Sequence, residues 1–220
     1  MSKTTSHPVV AVSIGTSSPV FDLSKPSPFT IRLSLQLQWN RPVTFIRRYN
    51  GLFDGKILYQ GGLTFTNIAT AKQVPRNAIN ICYMDDTGQG LAWATRHEYI
   101  TLYPGKEHII ERSINPMHNR RKTADEANPE KIISDDSDAP TANIKWYGVG
   151  GFEDGQTYRI GISEDATISE WLQGSIWEIL GWQILGWKAK PRSEKISYIV
   201  RDSCAFLLRR PDTDGSLDWP

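Results

Sequence analysis

Residues 29–40 constrain the fold of this chain more than any other segment. Their sequence, FTIRLSLQLQWN, alternates apolar and polar residues without interruption. Successive side chains of a β-strand point to opposite faces of the sheet, so the alternation predicts one row in a core and the other in water. A strand of this kind is typical of an antiparallel sheet with one buried face.

Shorter strand patterns lie on both sides of this segment. Residues that tolerate positive φ separate several of them, and a turn at 103–106, Tyr-Pro-Gly-Lys, predicts a hairpin over 98–114. The pattern indicates an immunoglobulin-like antiparallel β-sandwich, which we expect to form a single domain over residues 1–220. The predicted strands are 9–15, 29–40, 43–49, 56–59, 63–68, 78–84, 98–102, 107–114, 144–149, 157–162, 195–200 and 204–208.

The amino-acid composition changes between residues 115 and 143. This segment is polar, carries charges of both signs and contains three prolines. Such a composition cannot bury enough apolar surface to fold by itself. Because strand patterns continue on both sides, we predict a mobile insertion loop over 115–143, not a domain boundary.

Residues 178–187, EILGWQILGW, repeat one pentapeptide with a single change. Upstream, Thr167 and Glu170 have the spacing of a capping box, and apolar residues follow at helical intervals. The spacing predicts a short helix over 168–180 that ends at Gly181, with the second copy extended toward Trp187. Two copies of five residues are too few for a solenoid, so a small duplication in a connection is the preferred interpretation.

Tryptophan is abundant, with eight residues in 220. Indoles supply large contact areas at low entropic cost, and they dominate binding hot spots. The candidate binding residues are Trp171, Trp177, Trp182 and Trp187. The alternative is that these side chains belong to the core, as most aromatic residues of β-proteins do.

The sequence offers no catalytic signature. The four histidines lack metal-ligand spacing, and no phosphate-binding or dinucleotide-binding glycine motif occurs. We therefore expect no catalytic residues, no metal and no cofactor. If the chain is an enzyme, Asp85, Asp86 and Glu98 are the acids that could act.

Charge and hydropathy restrict the partners and the compartment. The formal net charge is +1, so no global field attracts nucleic acid or an anionic membrane, and we expect neither as a partner. No stretch is long enough to span a bilayer, and the first residues do not resemble a signal peptide. Two cysteines, Cys82 and Cys204, are too few for a disulfide framework, which favours the cytoplasm. Whether they pair is open.

The order of the strand patterns resembles a known family. A long alternating strand precedes LYPGKEHIIERSI and then GFEDGQTYRIGI, with Leu102, Pro104, Gly105 and Tyr158 at the matching positions. Over residues 29–162 this is similar to the immunoglobulin-like pro-segment of fungal deuterolysin-type metalloproteases, and to stand-alone fungal proteins of that kind. The resemblance implies the fold, and it implies no catalytic residues.

Three functions are compatible with the sequence. The first is a non-enzymatic intracellular interaction module that binds a protein or a small apolar molecule through an aromatic-rich surface. The second is a cofactor-free cyclase or isomerase of fungal small-molecule biosynthesis, which would hold a flexible substrate in a reactive shape. The third, by analogy with inhibitory pro-segments, is a protease inhibitor.

Overall fold

The structure is a computed structural model that describes residues 7–48, 50–54, 58, 62–75, 91–118, 144–146, 148–187 and 189–211. Within these residues the chain is mostly β-structure, as predicted. The strands form four sheets, three of which pack as a sandwich-like fold, and one α-helix follows the eleventh strand. The strands are β1 (Val10–Thr16), β2 (Val20–Asp22), β3 (Phe29–Leu37), β4 (Val43–Ile46), β5 (Leu63–Asn67), β6 (Tyr99–Leu102), β7 (Glu107–Ile114), β8 (Pro116–His118), β9 (Ile144–Trp146), β10 (Thr157–Ile162), β11 (Trp171–Gln173), β12 (Tyr198–Asp202) and β13 (Ala205–Arg209), and the helix is α1 (Ile176–Ile184).

The strands are grouped into two larger sheets and two smaller ones. The first large sheet has the order β12-β1-β3-β7, and the second has the order β2-β13-β10-β5. A three-stranded sheet, β11-β4-β6, carries α1 at the end of β11, and β8 pairs only with β9 among the described strands.

The long alternating strand is confirmed as β3. It ends at Leu37, three residues before the predicted end, and β1 and β7 pair with its two edges. Every second side chain is buried, as the alternation predicts. The buried row is Phe29, Ile31, Leu33, Leu35 and Leu37.

An aromatic layer joins the two large sheets. Phe29 of β3 stacks on Phe21 of β2 with ring centroids 4.4 Å apart, and its ring lies 5.0 Å from Phe206 of β13. Trp146 meets Phe21 edge-on at 5.0 Å, and its indole N–H donates to the Leu23 carbonyl at 2.8 Å. The sandwich is therefore held by ring contacts between strands of different sheets.

Two of the strand pairs are parallel, although the sequence predicted antiparallel sheets. β1 runs parallel to β12, with Val10 opposite Tyr198, and β2 runs parallel to β13, with Val20 opposite Leu207. Among the described strands, the first two thus pair with the last two.

The predicted hairpin over 98–114 is wrong. The turn forms, because Lys106 N–H donates to the Tyr103 carbonyl at 3.2 Å and Gly105 adopts φ +69°. However, β6 pairs with β4 and β7 pairs with β3, so the turn connects two different sheets. A turn sequence specifies a reversal of the chain without specifying which strands pair.

The segment predicted as an insertion loop begins with a strand. β8 pairs with β9, so the start of the segment at 115–118 lies close to the strand that follows its end. Residues 119–143 lie outside the described residues. So do the predicted strand 78–84 and most of 56–59, of which only Leu58 is described, in a turn.

Candidate binding surface

The helix begins eight residues later than the sequence predicted. Ile168 forms a bridge with Ile196, and β11 pairs with β4. Glu170, the expected end of a capping box, has φ +54°, which is not a helical conformation. The apolar residues between 168 and 173 have helical spacing, but sheet pairing decides their structure and keeps them extended.

A capping box does start the helix, but at Ser175. The Ser175 hydroxyl accepts from Glu178 N–H at 3.3 Å, and Ser175 N–H donates to the Glu178 carboxylate at 2.6 Å. The hydrogen bond from the Ser175 backbone N–H, and after it one from the Ser175 side chain, lower the pKa of the Glu178 carboxyl. The N–H groups of Ser175 and Glu178 have no partner within the helix, and each is satisfied by the side chain of the other residue.

Two threonine hydroxyls attach the start of α1 to the three-stranded sheet. Ile176 N–H donates to Thr101 Oγ1 at 3.2 Å, and Thr44 Oγ1 donates to the Gly174 carbonyl at 2.8 Å. The two hydroxyls lie 2.8 Å apart. Because Thr44 uses its proton on Gly174, Thr101 donates to Thr44, and every member of this buried chain is satisfied.

The helix continues through the first copy of the repeat and ends in the second. Gly186 N–H donates to the Gln183 carbonyl at 3.0 Å, and Trp187 N–H donates to the Trp182 carbonyl at 2.9 Å. With Gly186 at φ +82°, these bonds form a Schellman motif. The prediction that Gly181 ends the helix is therefore wrong: Gly181 is helical, and Gly186 takes that role.

The inner face of α1 packs on a small apolar cluster. Ile179 and Leu180 are fully buried there against Leu91 and Leu172. Gln183 adds a hydrogen bond from its amide to the Leu91 carbonyl at 2.9 Å. These contacts hold Leu91 against the helix.

The outer side of α1 leaves large apolar side chains exposed. The exposed fraction rises from 43% for Trp182 to 58% for Trp177 and 74% for Trp187. Together with a neighbouring indole and two aliphatic side chains, they form what we call the tryptophan surface. It comprises Trp93, Trp177, Trp182, Ile184, Leu185 and Trp187.

Trp171, the fourth predicted binding residue, does not belong to this surface. Its exposed fraction is 0%, and its indole N–H donates to the Glu194 carbonyl at 2.7 Å. It also meets Trp39 edge-on, with ring centroids 5.6 Å apart. The prediction of a binding role for Trp171 is wrong, because pairing in β11 turns its side chain into the core.

Trp93 is a member of the surface that the sequence did not indicate. Its ring centroid lies 5.6 Å from that of Trp177, and the Arg96 guanidinium lies 5.7 Å from its centroid. Thr95 closes the turn beneath it, since Ala92 N–H donates to Thr95 Oγ1 at 3.1 Å. No periodic pattern includes Trp93, so only the tertiary contacts place it beside the helix.

The part of the tryptophan surface that α1 supplies carries a single charge. From Trp171 to Trp187 the sequence contains one ionisable side chain, Glu178. That carboxylate is held in the capping box. An exposed helix of a globular protein normally presents several charged side chains to water, so this helix is unusual on its outer side.

The candidate acids do not form a site in the described part of the chain. Glu98 ends a short 3₁₀-helix and lies 3.7 Å from the Arg48 guanidinium, in an ion pair. Asp85 and Asp86 lie outside the described residues. Among the residues that the structure describes, no group of three or more His, Cys, Asp or Glu side chains is placed to hold a metal ion.

One of the two cysteines can be located. Cys204 is a free, half-buried thiol, and burial raises its pKa. Cys82 lies outside the described residues.

Among the described residues, no helix has the length and apolar character needed to cross a bilayer.

Comparison with known proteins gives no match: no protein-family model, no curated protein and no solved structure matches this chain. The resemblance to the deuterolysin-type pro-segment therefore stays a prediction.

Proposed function

We propose that this protein is a non-enzymatic intracellular interaction module whose tryptophan surface binds an apolar surface of a protein partner. The observation that carries the proposal is the exposed outer side of α1, where four indoles and two aliphatic side chains surround a single, already hydrogen-bonded carboxylate. Single exposed apolar residues are ordinary, but six large ones on one short helix and the two segments beside it are typical of an interaction site.

The rigid attachment of α1 supports a binding role for the tryptophan surface. The capping box, the threonine hydroxyl chain and the Schellman motif fix both ends of the helix. Indoles have few rotatable bonds, so an ordered helix can present them at a low entropic cost. At the end of the surface, Leu185 and Trp187 are both 74% exposed. Side chains that project this far are accessible to another macromolecule, whereas a small molecule needs a concave pocket.

The free thiol of Cys204 supports the intracellular setting. A half-buried, unpaired cysteine is typical of reducing compartments, and its raised pKa keeps it in the unreactive thiol form.

Site-specific photo-crosslinking tests this function. A photoreactive phenylalanine replaces Trp177 in the full chain, and the matched control carries it at Ile109, an exposed apolar residue of β7. In cells of the source organism, we expect a defined crosslinked protein at position 177 and none at position 109. Exchanging Trp182 for Ala should weaken the capture without lowering the Tm. An absence of crosslinks at position 177, or equal capture at both positions, would contradict the proposal.

A further inference from the structure

We infer that the partner of the tryptophan surface is a second copy of this chain, packed helix against helix across a two-fold axis near Gly181. This inference rests on the proposed function, because it names the partner of the same surface.

Gly181 is the first observation behind it. This glycine lies inside α1, four residues after Trp177 and four before Leu185, which places it in the middle of the exposed side. Glycine weakens a helix interior relative to alanine. A Cβ built at Gly181 would meet no atom of the described residues within 4 Å, outside the backbone of its own helix. Packing within one protomer therefore does not require glycine here, whereas close approach of another helix does.

The size of the surface is the second observation. With about 250 Å² for each whole indole and somewhat less for each aliphatic side chain, the exposed fractions correspond to on the order of 800 Å² of apolar surface. A stable interface buries about 800 Å² on each partner. The largest apolar patch on a typical monomer is about 300–600 Å². The tryptophan surface is thus large enough for a dimer and larger than a monomer usually exposes.

Charge favours an antiparallel pair of identical helices. A two-fold axis across α1 places the first turn of each helix, with Glu178, beside the C-terminal end of the other, after which the exposed Lys190 follows. The dipoles of the two helices are then opposed, so that the positive end of each lies beside the negative end of the other. A net charge of +1 on each copy adds little repulsion.

Sedimentation velocity on the full chain over a concentration series tests the inference. We expect the wild type to dimerise, Gly181→Ala to weaken the dimer, and Gly181→Leu to raise its Kd by at least about tenfold. At concentrations where each variant is monomeric, Gly181→Ala should keep or raise the Tm, because alanine favours the helix. Ile109→Ala, which removes an exposed apolar side chain from β7, should dimerise like the wild type.

Two results would overturn self-association. The first is a wild type that stays monomeric up to several hundred micromolar, about the weakest self-association of interest. The second is a Gly181→Leu variant that dimerises as the wild type does. A monomer that still crosslinks to a different protein at position 177 would overturn this inference and leave the proposed function standing. A monomer that co-sediments with phosphatidylcholine–phosphatidylserine vesicles, with Gly181→Leu unimpaired, would instead make a lipid surface the partner.

Discussion

The aromatic residues of this protein occupy two contrasting regions, the core of the sandwich and the tryptophan surface. In the core, Trp171 meets Trp39 edge-on and donates its indole N–H to a backbone carbonyl. Sixteen positions along the chain, Trp187 leaves most of its indole exposed. The residue type is the same, and the backbone decides the outcome. A paired strand turns alternate side chains inward, whereas Trp187 follows the end of α1 and lies in no paired strand. Tryptophan content alone therefore indicates neither a core nor a binding surface.

The largest loss of stability should come from truncating Trp171, the buried tryptophan. Trp171→Ala removes a fully buried indole and its hydrogen bond to Glu194, and we expect it to lower the free energy of unfolding by about 3–5 kcal/mol. Urea denaturation followed by circular dichroism measures this. A loss below about 1 kcal/mol, the range of surface substitutions, would mean that Trp171 resembles the exposed indoles after all.

The next largest loss of stability should come from breaking the threonine hydrogen bonds that attach the start of α1 to the three-stranded sheet. Thr44→Val keeps the shape of a fully buried side chain but leaves the Gly174 carbonyl and the Thr101 hydroxyl without their partner. We expect a loss of about 1–3 kcal/mol in the free energy of unfolding. Thr30→Val is the matched control, since it removes a more exposed hydroxyl hydrogen bond to Ser113. Equal losses in the two variants would show that the buried chain has no special role.

A smaller, pH-dependent effect should come from the capping box. Because Ser175 lowers the pKa of Glu178, the cap contributes stability above the unfolded-state pKa near 4.5 and loses it as the pH falls through the folded-state value. Because Glu178 is exposed and water screens its interactions, the wild type should lose only about 0.5 kcal/mol more than Glu178→Gln between about pH 6 and pH 3.5. Urea denaturation at both pH values measures the difference. Parallel losses in the two proteins would contradict the assignment of this cap.

The smallest effect on stability should come from the exposed member of the comparison. Trp187→Ala removes an indole that is 74% exposed, so the free energy of unfolding of the monomer should change by no more than about 0.5 kcal/mol. The measurement is made at a concentration below that of self-association. A loss above about 2 kcal/mol would place Trp187 in a packed environment and remove it from the tryptophan surface.

The parts of the fold that the sequence predicted are those with a local cause. The alternation over 29–40 fixed both the existence of β3 and the row that it buries, because the period of a strand is a local property. The pairing of β6 and β7 with other strands was not predictable, since turn residues carry no information about distant partners. Ser175 and Thr167 both begin a capping-box spacing, and only the pairing of β11 with β4 decides between them.

In the candidate site, too, the sequence predicted what has a local cause and missed what depends on distant contacts. Trp177, Trp182 and Trp187 were predicted from residue type, and all three are exposed as a binding surface requires. Trp171 was included wrongly, because its strand pairing is not local. Trp93 was missed, because only its contact with Trp177 brings it to the helix.

The two parallel pairs, β1 with β12 and β2 with β13, have a consequence for synthesis on the ribosome. Each large sheet contains one strand from the beginning of the chain and one from its end. Translation therefore has to reach residues 198–209 before either sheet can be completed, and until then one edge of β1 has no neighbouring strand. Pairings of such high sequence separation form slowly and leave strand edges open in the meantime. A nascent chain of this protein should thus depend on chaperones until β12 and β13 emerge, and a deletion of residues 198–209 would remove a strand from both sheets at once.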